Sequence, residues 1–162
     1  MGGKMLYAVN FFAVLGTGLV AGIFLAFSSF IMAALAGLPS GNGISAMQAI
    51  NITAISPLFM IVLFGTAVLC IVLAYSAFRF GLNAQSIIVI AGAVLYLVGC
   101  IVVTMVLNVP LNDALAVLDP NNAEASTQWA GYLKNWTFWN HVRCLASIAA
   151  CAAFVRAMTL AS

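Results

Sequence analysis

The run from Leu6 to Leu35 contains no charged side chain. Two more apolar stretches, about 58–78 and 85–107, and a fourth at about 138–160, are nearly as long. A helix needs roughly 20 consecutive apolar residues to cross a bilayer, so these runs predict four transmembrane helices. Composition agrees: 65% of residues are hydrophobic and 5% are charged, where a soluble domain carries about 25% charged residues. That balance excludes an ordinary soluble enzyme. It also excludes a nucleic-acid binder, which needs a basic stripe. The first run is far longer than the 7–15-residue core of a signal peptide and reads as a retained span. The Met-Gly start lacks the Ser or Thr that myristoylation requires, because Leu6 stands at that position. The expectation is an all-α membrane protein, one four-transmembrane-helix domain over 1–162, with short interfacial helices in the two outer loops.

In the first span Gly18, Gly22 and Ala26 form a small-x-x-x-small series, a spacing that admits a closely packed neighbour. Ser28 and Ser29 follow, either bonding back to their own backbone or lining a polar pocket. A turn-rich loop at 37–43 leads to a short helix at 44–55, with Gln48 and Asn51 on one face. Pro57 opens the second span, and a tight connection at 79–83 leads into the third. Along the third, Tyr96, Cys100, Thr104 and Asn108 form a polar ladder, and Pro110 is expected to end that helix. All three acids (Asp113, Asp119 and Glu124) fall in the second long loop, where a short helix after Asn112 and an amphipathic helix at about 125–136 are expected. The four cysteines (Cys70, Cys100, Cys144 and Cys151) lie inside apolar segments with no C-x-x-C pair and read as small packing thiols.

Four spans place both termini on one side. Lys4, Arg79 and Arg156 then share that side, while Lys134 and Arg143 lie toward the other. The positive-inside rule makes the termini cytoplasmic, and the cell (inner) membrane is the expected host. Trp129, Tyr132, Trp136 and Trp139 match an aromatic belt at the outer interface.

In this topology the chemistry gathers at the loop end of the bundle: Ser28, Ser29, Gln48, Asn51, Thr104, Asn108, Asn112, Asn140, His141 and Arg143. Ionisable residues at membrane depth are by default functional candidates. On a helical projection of the last span with Asn140 at zero, Arg143 falls at about −60°, Ser147 at about −20° and Cys151 at about +20°. Cys144 falls at about +40° and His141 at about +100°. The polar side chains thus occupy one arc of roughly 160°, with Val142, Leu145, Ala146 and Ala149 opposite. Polar groups in a bilayer are costly unless paired, so the cluster is either a shared pocket or a knot tying the loops to the bundle. Arg143 needs an anion or several carbonyl-type acceptors. Asp113 is the best acid within the chain, and an enolate, a phenolate or a lipid headgroup is the alternative. No cofactor is required by these residues. Copper or another metal at His141, with Cys144, Met32 or Met47, is chemically allowed.

At these residues the chain resembles the anthrone oxygenase-like integral membrane proteins, whose bacterial members form a domain family of unknown function. The likeness rests on Gly22-Ile23-Phe24-Leu25-Ala26-Phe27-Ser28-Ser29-Phe30 and on Ala46-Met47-Gln48-Ala49-Ile50-Asn51. It continues in Asn108-Val109-Pro110-Leu111-Asn112, Trp129 and Trp139-Asn140-His141-Val142-Arg143. Characterised fungal members oxidise anthrones to anthraquinones. The resemblance implies His141 as general base, with Arg143, Asn108 and Asn140 stabilising an enolate oxygen. Asn112, Gln48, Asn51, Ser28, Ser29, Thr104 and Trp139 would then contact the substrate. Three readings compete: an oxygenase for a small hydrophobic phenol or anthrone, a lipid-like ligand binder or transporter, and a scaffold subunit. Expected partners are membrane lipid and a small hydrophobic substrate, with self-association permitted by the small-residue faces and no nucleic acid.

Overall fold

The computed structural model describes residues 3–122 and 124–160, without the side chains of Gly3 and Lys4. The Met-Gly start and the charge of Lys4 lie outside the described residues, as do Ala123, Ala161 and Ser162. Every regular element among the described residues is a helix. Helix α1 (Gly3–Ala26) widens through a π-turn (Phe27–Ile31) into α2 (Met32–Ala36). Next come α3 (Ser40–Thr53), α4 (Pro57–Arg79) and α5 (Ala84–Tyr96). Helix α5 passes through two wide segments, Leu97–Val102 and Thr104–Asn108, into α6 (Val109–Ala116), and α7 (Ala125–Thr159) completes the bundle. Met5–Ala36, Pro57–Arg79, Ala84–Ala116 and Ala125–Thr159 are long and apolar enough to cross a membrane. The chain is an integral membrane protein.

Local chemistry explains the ends. Ser56 caps α4 by accepting from the Phe59 amide at 3.4 Å, with Pro57 in the first turn, where its missing N–H leaves no gap. Asn83 caps α5 by accepting from Ser86 N at 2.9 Å, and Gly81 turns the chain between them at φ 101°.

Three boundaries differ from the sequence reading. The third span does not stop at Pro110. That ring lies in the first turn of α6, directly after a π segment, whose i→i+5 bonding shifts the carbonyl that proline would strike in a regular helix. The amphipathic helix at 125–136 and the fourth span are one 35-residue helix, because no proline separates them. Helix α3 starts at Ser40, inside the glycine-rich stretch read as a loop. A Cβ at Gly43 would sit 2.9 Å from the Trp129 ring, and one at Gly41 would sit 2.9 Å from the Pro120 carbonyl. These glycines let a helix lie against its neighbours. Of the expected interfacial helices, α3 alone is separate from the spans.

Helix α7 packs against α1 and α5, and α4 closes the ring by packing on the same two. One core lies within the spans (Val20, Phe24, Leu63, Leu73, Tyr96, Phe154). A second lies at the loop end, where Met32, Leu35, Ile44 and Met47 meet Leu115, Trp129, Tyr132 and Trp136.

The close approach in α1 is not at the glycines expected. Gly22 has open space where a side chain would stand, and Gly18 meets only the Cys151 sulfur at 3.8 Å. Gly16 is the contact point: a Cβ there would run into the Thr66 hydroxyl of α4. Gly16→Ala is therefore expected to lower stability by about 1–3 kcal/mol through overpacking. Gly22→Ala should be neutral, and thermal unfolding in detergent compares the two.

Candidate functional site

The wide turns place the loop-end polar groups. Each π-turn fits one extra residue into a helical turn, and Ser28, Thr104 and Asn108 all lie in such turns. Facing them on α7 are Trp136, Asn140, Arg143, Cys144 and Ser147, all buried.

Arg143 is the centre of the arrangement and is only 5% exposed. Its Nη2 donates to Asn140 Oδ1 at 2.8 Å, and its Nη1 donates to Thr104 Oγ1 at 3.3 Å. The Phe24 and Trp136 rings flank the guanidinium, with centroids 4.3 and 5.1 Å from Cζ, a cation–π arrangement. Asn140 ties α7 to α1 through its Nδ2, which donates to the Phe24 carbonyl and to Ser28 Oγ, both at 2.8 Å. Thr104 Oγ1 also donates to the Cys100 carbonyl at 2.7 Å.

Three buried polar atoms here lack a partner among the described residues: Arg143 Nε, Asn108 Oδ1 and Trp129 Nε1. Asn108 is 1% exposed and donates through Nδ2 to the Trp136 carbonyl at 3.2 Å. Arg143 has no carboxylate partner among the described residues. Asp113, the acid expected to neutralise it, is exposed, as are Asp119 and Glu124.

Other sequence candidates divide into those that hold the loops and those that face away. Asn112 Oδ1 accepts from Tyr132 OH at 2.9 Å and Trp136 Nε1 at 2.8 Å, and Trp129, Tyr132 and Trp136 stack in series. Gln48 Nε2 donates to the Leu115 and Leu118 carbonyls at 2.9 and 3.0 Å, satisfying acceptors left open at the end of α6. Asn51 stands beside Tyr132. Ser29 is exposed and bonds back to the Leu25 carbonyl at 2.6 Å, so of the serine pair only Ser28 joins the network. Trp139 is half-buried, with its ring edge-on to Phe138.

His141 is exposed on the outside of the bundle, while Arg143 is buried inside it. The reason lies in the projection: they sit at opposite edges of the polar arc, and the neighbouring helices cover only the part from Arg143 to Cys144. The expectation that His141 and Arg143 share one hollow is thereby corrected. Cys144 is buried with its thiol 3.9 Å from the Ala21 carbonyl. Among the described residues no three His, Cys, Asp or Glu side chains group as metal ligands would.

Asn112→Leu is expected to strand two buried donors, Tyr132 OH and Trp136 Nε1. A loss of about 2–3 kcal/mol follows, with a shift in tryptophan emission on a thermal or denaturant unfolding series as the readout.

An open interior space lies elsewhere. A cavity of about 400 Å³ opens at the terminal end, between the first turns of α1 and α5 and the last turns of α4 and α7. The sequence reading treated the polar residues of that end as scattered. Asn10 and Ser76, buried beside this cavity, were missed because each stands alone in an apolar run.

A family model described as anthrone oxygenase matches residues 58–153, a stretch that holds Thr104, Asn108, Asn112, Asn140, His141 and Arg143. No curated protein matches the chain, and no solved structure does.

Proposed function

Because the chain belongs to the anthrone oxygenase family, we propose that it is a membrane-embedded oxidoreductase for a small hydrophobic phenol or anthrone, in which Arg143 holds the anionic oxygen of the deprotonated substrate. One observation supports this above the others: a guanidinium 5% exposed, with no acid to neutralise it among the described residues and an unpaired Nε–H. Leaving a buried cation without an anion is costly, and an enolate or phenolate oxygen supplies the missing charge. Preorganised donors aimed at developing charge act with most effect in such a water-poor setting. Asn108, four residues beyond Thr104, offers an unpaired acceptor for a substrate hydroxyl. A flat aromatic substrate takes the place of the Phe24 ring on the guanidinium, exchanging one stacked surface for another.

The reaction balances with dioxygen as the co-reactant. The methylene carbon opposite the anthrone carbonyl loses a proton to interfacial water, leaving an enolate whose oxygen meets Arg143. That carbon then forms a bond to dioxygen, and the resulting peroxide takes up a proton. Loss of the remaining C–H proton with cleavage of the O–O bond gives the new carbonyl and one water. The carbon gives up four electrons and dioxygen accepts four. His141, on the outer surface, takes no part in this scheme.

The orientation with both termini cytoplasmic belongs to the same proposal. Arg79 is exposed at the terminal end, which supports it by the positive-inside rule. The function is tested by oxygen uptake with an anthrone in lipid nanodiscs. The expected result is one dioxygen consumed per quinone formed. A rate equal to that of protein-free nanodiscs overturns the assignment.

A further inference from the structure

The terminal-end cavity holds about 400 Å³, within the usual range for small-molecule sites. Among the described residues its wall contains no Lys, Arg, His, Asp or Glu. Leu6, Leu73, Val89 and Met158 supply apolar surface. Three of its polar side chains are already committed to the fold. Ser86 Oγ donates to the Gly81 carbonyl at 2.8 Å, Asn83 Oδ1 caps α5, and Gln85 Nε2 donates to the Ala157 carbonyl at 3.1 Å.

Tyr7 and Ser76 also line it, and Asn10 stands out by its buried acceptor. It is 6% exposed and its Nδ2 donates to the Phe154 carbonyl at 3.1 Å. A carbonyl can only accept, which fixes the amide nitrogen there and leaves Oδ1 as a buried acceptor without a partner. Phe154 follows Arg143 by eleven residues on α7, about 16 Å of helix, so this site is separate from the guanidinium.

We infer that the cavity is a binding site for a neutral, mostly hydrophobic molecule with one hydroxyl donor, its ring or chain on Leu73 and Val89 and its hydroxyl donating to Asn10 Oδ1. A molecule of two fused rings fits within the volume and can carry the single donor. The inference does not rest on oxidation at Arg143, because its readout is binding.

The test uses the full chain in nanodiscs and two probes, 2-naphthol and its methyl ether, which match in shape while only the first can donate. Equilibrium dialysis is expected to show 2-naphthol binding about tenfold more tightly than the ether, the size of effect one buried hydrogen bond gives. Asn10→Leu should abolish that preference. Val89→Phe, which fills the space from the α5 wall, should remove binding of both probes; if that variant fails to fold, Ala77→Leu serves as a second filling variant. Equal affinity for naphthol and ether would mean a crevice for acyl chains and would overturn the inference, as would undiminished binding in a folded filling variant.

Discussion

Replacing Arg143 by Gln is expected to slow anthrone-dependent oxygen uptake by about 10²–10³-fold, the loss typical when a donor to a developing oxyanion is removed. The fold should survive. A buried charge exchanged for a neutral group of similar shape is often harmless to stability, and Gln retains a donor that can reach Asn140. Arg143→Lys should fall between the two, because an ammonium cannot engage Asn140, Thr104 and the substrate in the planar fork that a guanidinium offers. His141→Gln should stay within about threefold of the parent, since oxyanion stabilisation is the term at stake and His141 lies outside the bundle. Uptake rates set beside thermal unfolding curves check this set. Unchanged turnover in folded Arg143→Gln would reduce the network to a tie between helices, and a collapse in His141→Gln would restore the histidine as base.

The largest stability effect is expected at Asn140. Its side chain accepts from Arg143 and donates to both the Phe24 carbonyl and Ser28. Asn140→Leu removes all three contacts and leaves the guanidinium with one side-chain partner, at a cost of about 3 kcal/mol. Ser28→Ala should lose less than about 1 kcal/mol, because Asn140 keeps the Phe24 carbonyl. Unfolding of the two variants in mixed micelles measures the difference. Equal losses would mean that the α1–α7 tie lies in the Ser28 hydroxyl and not in the network around Arg143.

What was legible in the sequence follows from how coarse each signal is. Apolar length alone reveals four spans, and the arc through Asn140, Arg143 and Ser147 marks the buried side of α7 without any coordinates. His141 was placed on that side because a 160° arc is wider than the neighbours cover, and a helical projection contains no neighbours. Pro110 was read as a stop because the proline rule assumes a regular α-helix upstream, whereas Thr104–Asn108 is a π segment. Gly16 escaped notice since spacing favours Gly18 and Gly22, while the hydroxyl that decides the contact belongs to Thr66 on another helix. Asn10 illustrates the hardest case. A single amide in an apolar run gains meaning only when a cavity forms beside it, and that cavity draws on four separate segments.

Helix α7 has 35 residues, about 52 Å at 1.5 Å per residue, against roughly 30 Å of hydrocarbon in a bilayer. Its first turns, with Trp129 and Tyr132, therefore stand beyond the acyl chains as a mast, and α3 and the end of α6 lean on it. What fastens this cap is side-chain bonding from Gln48 and Asn112, set against the mast.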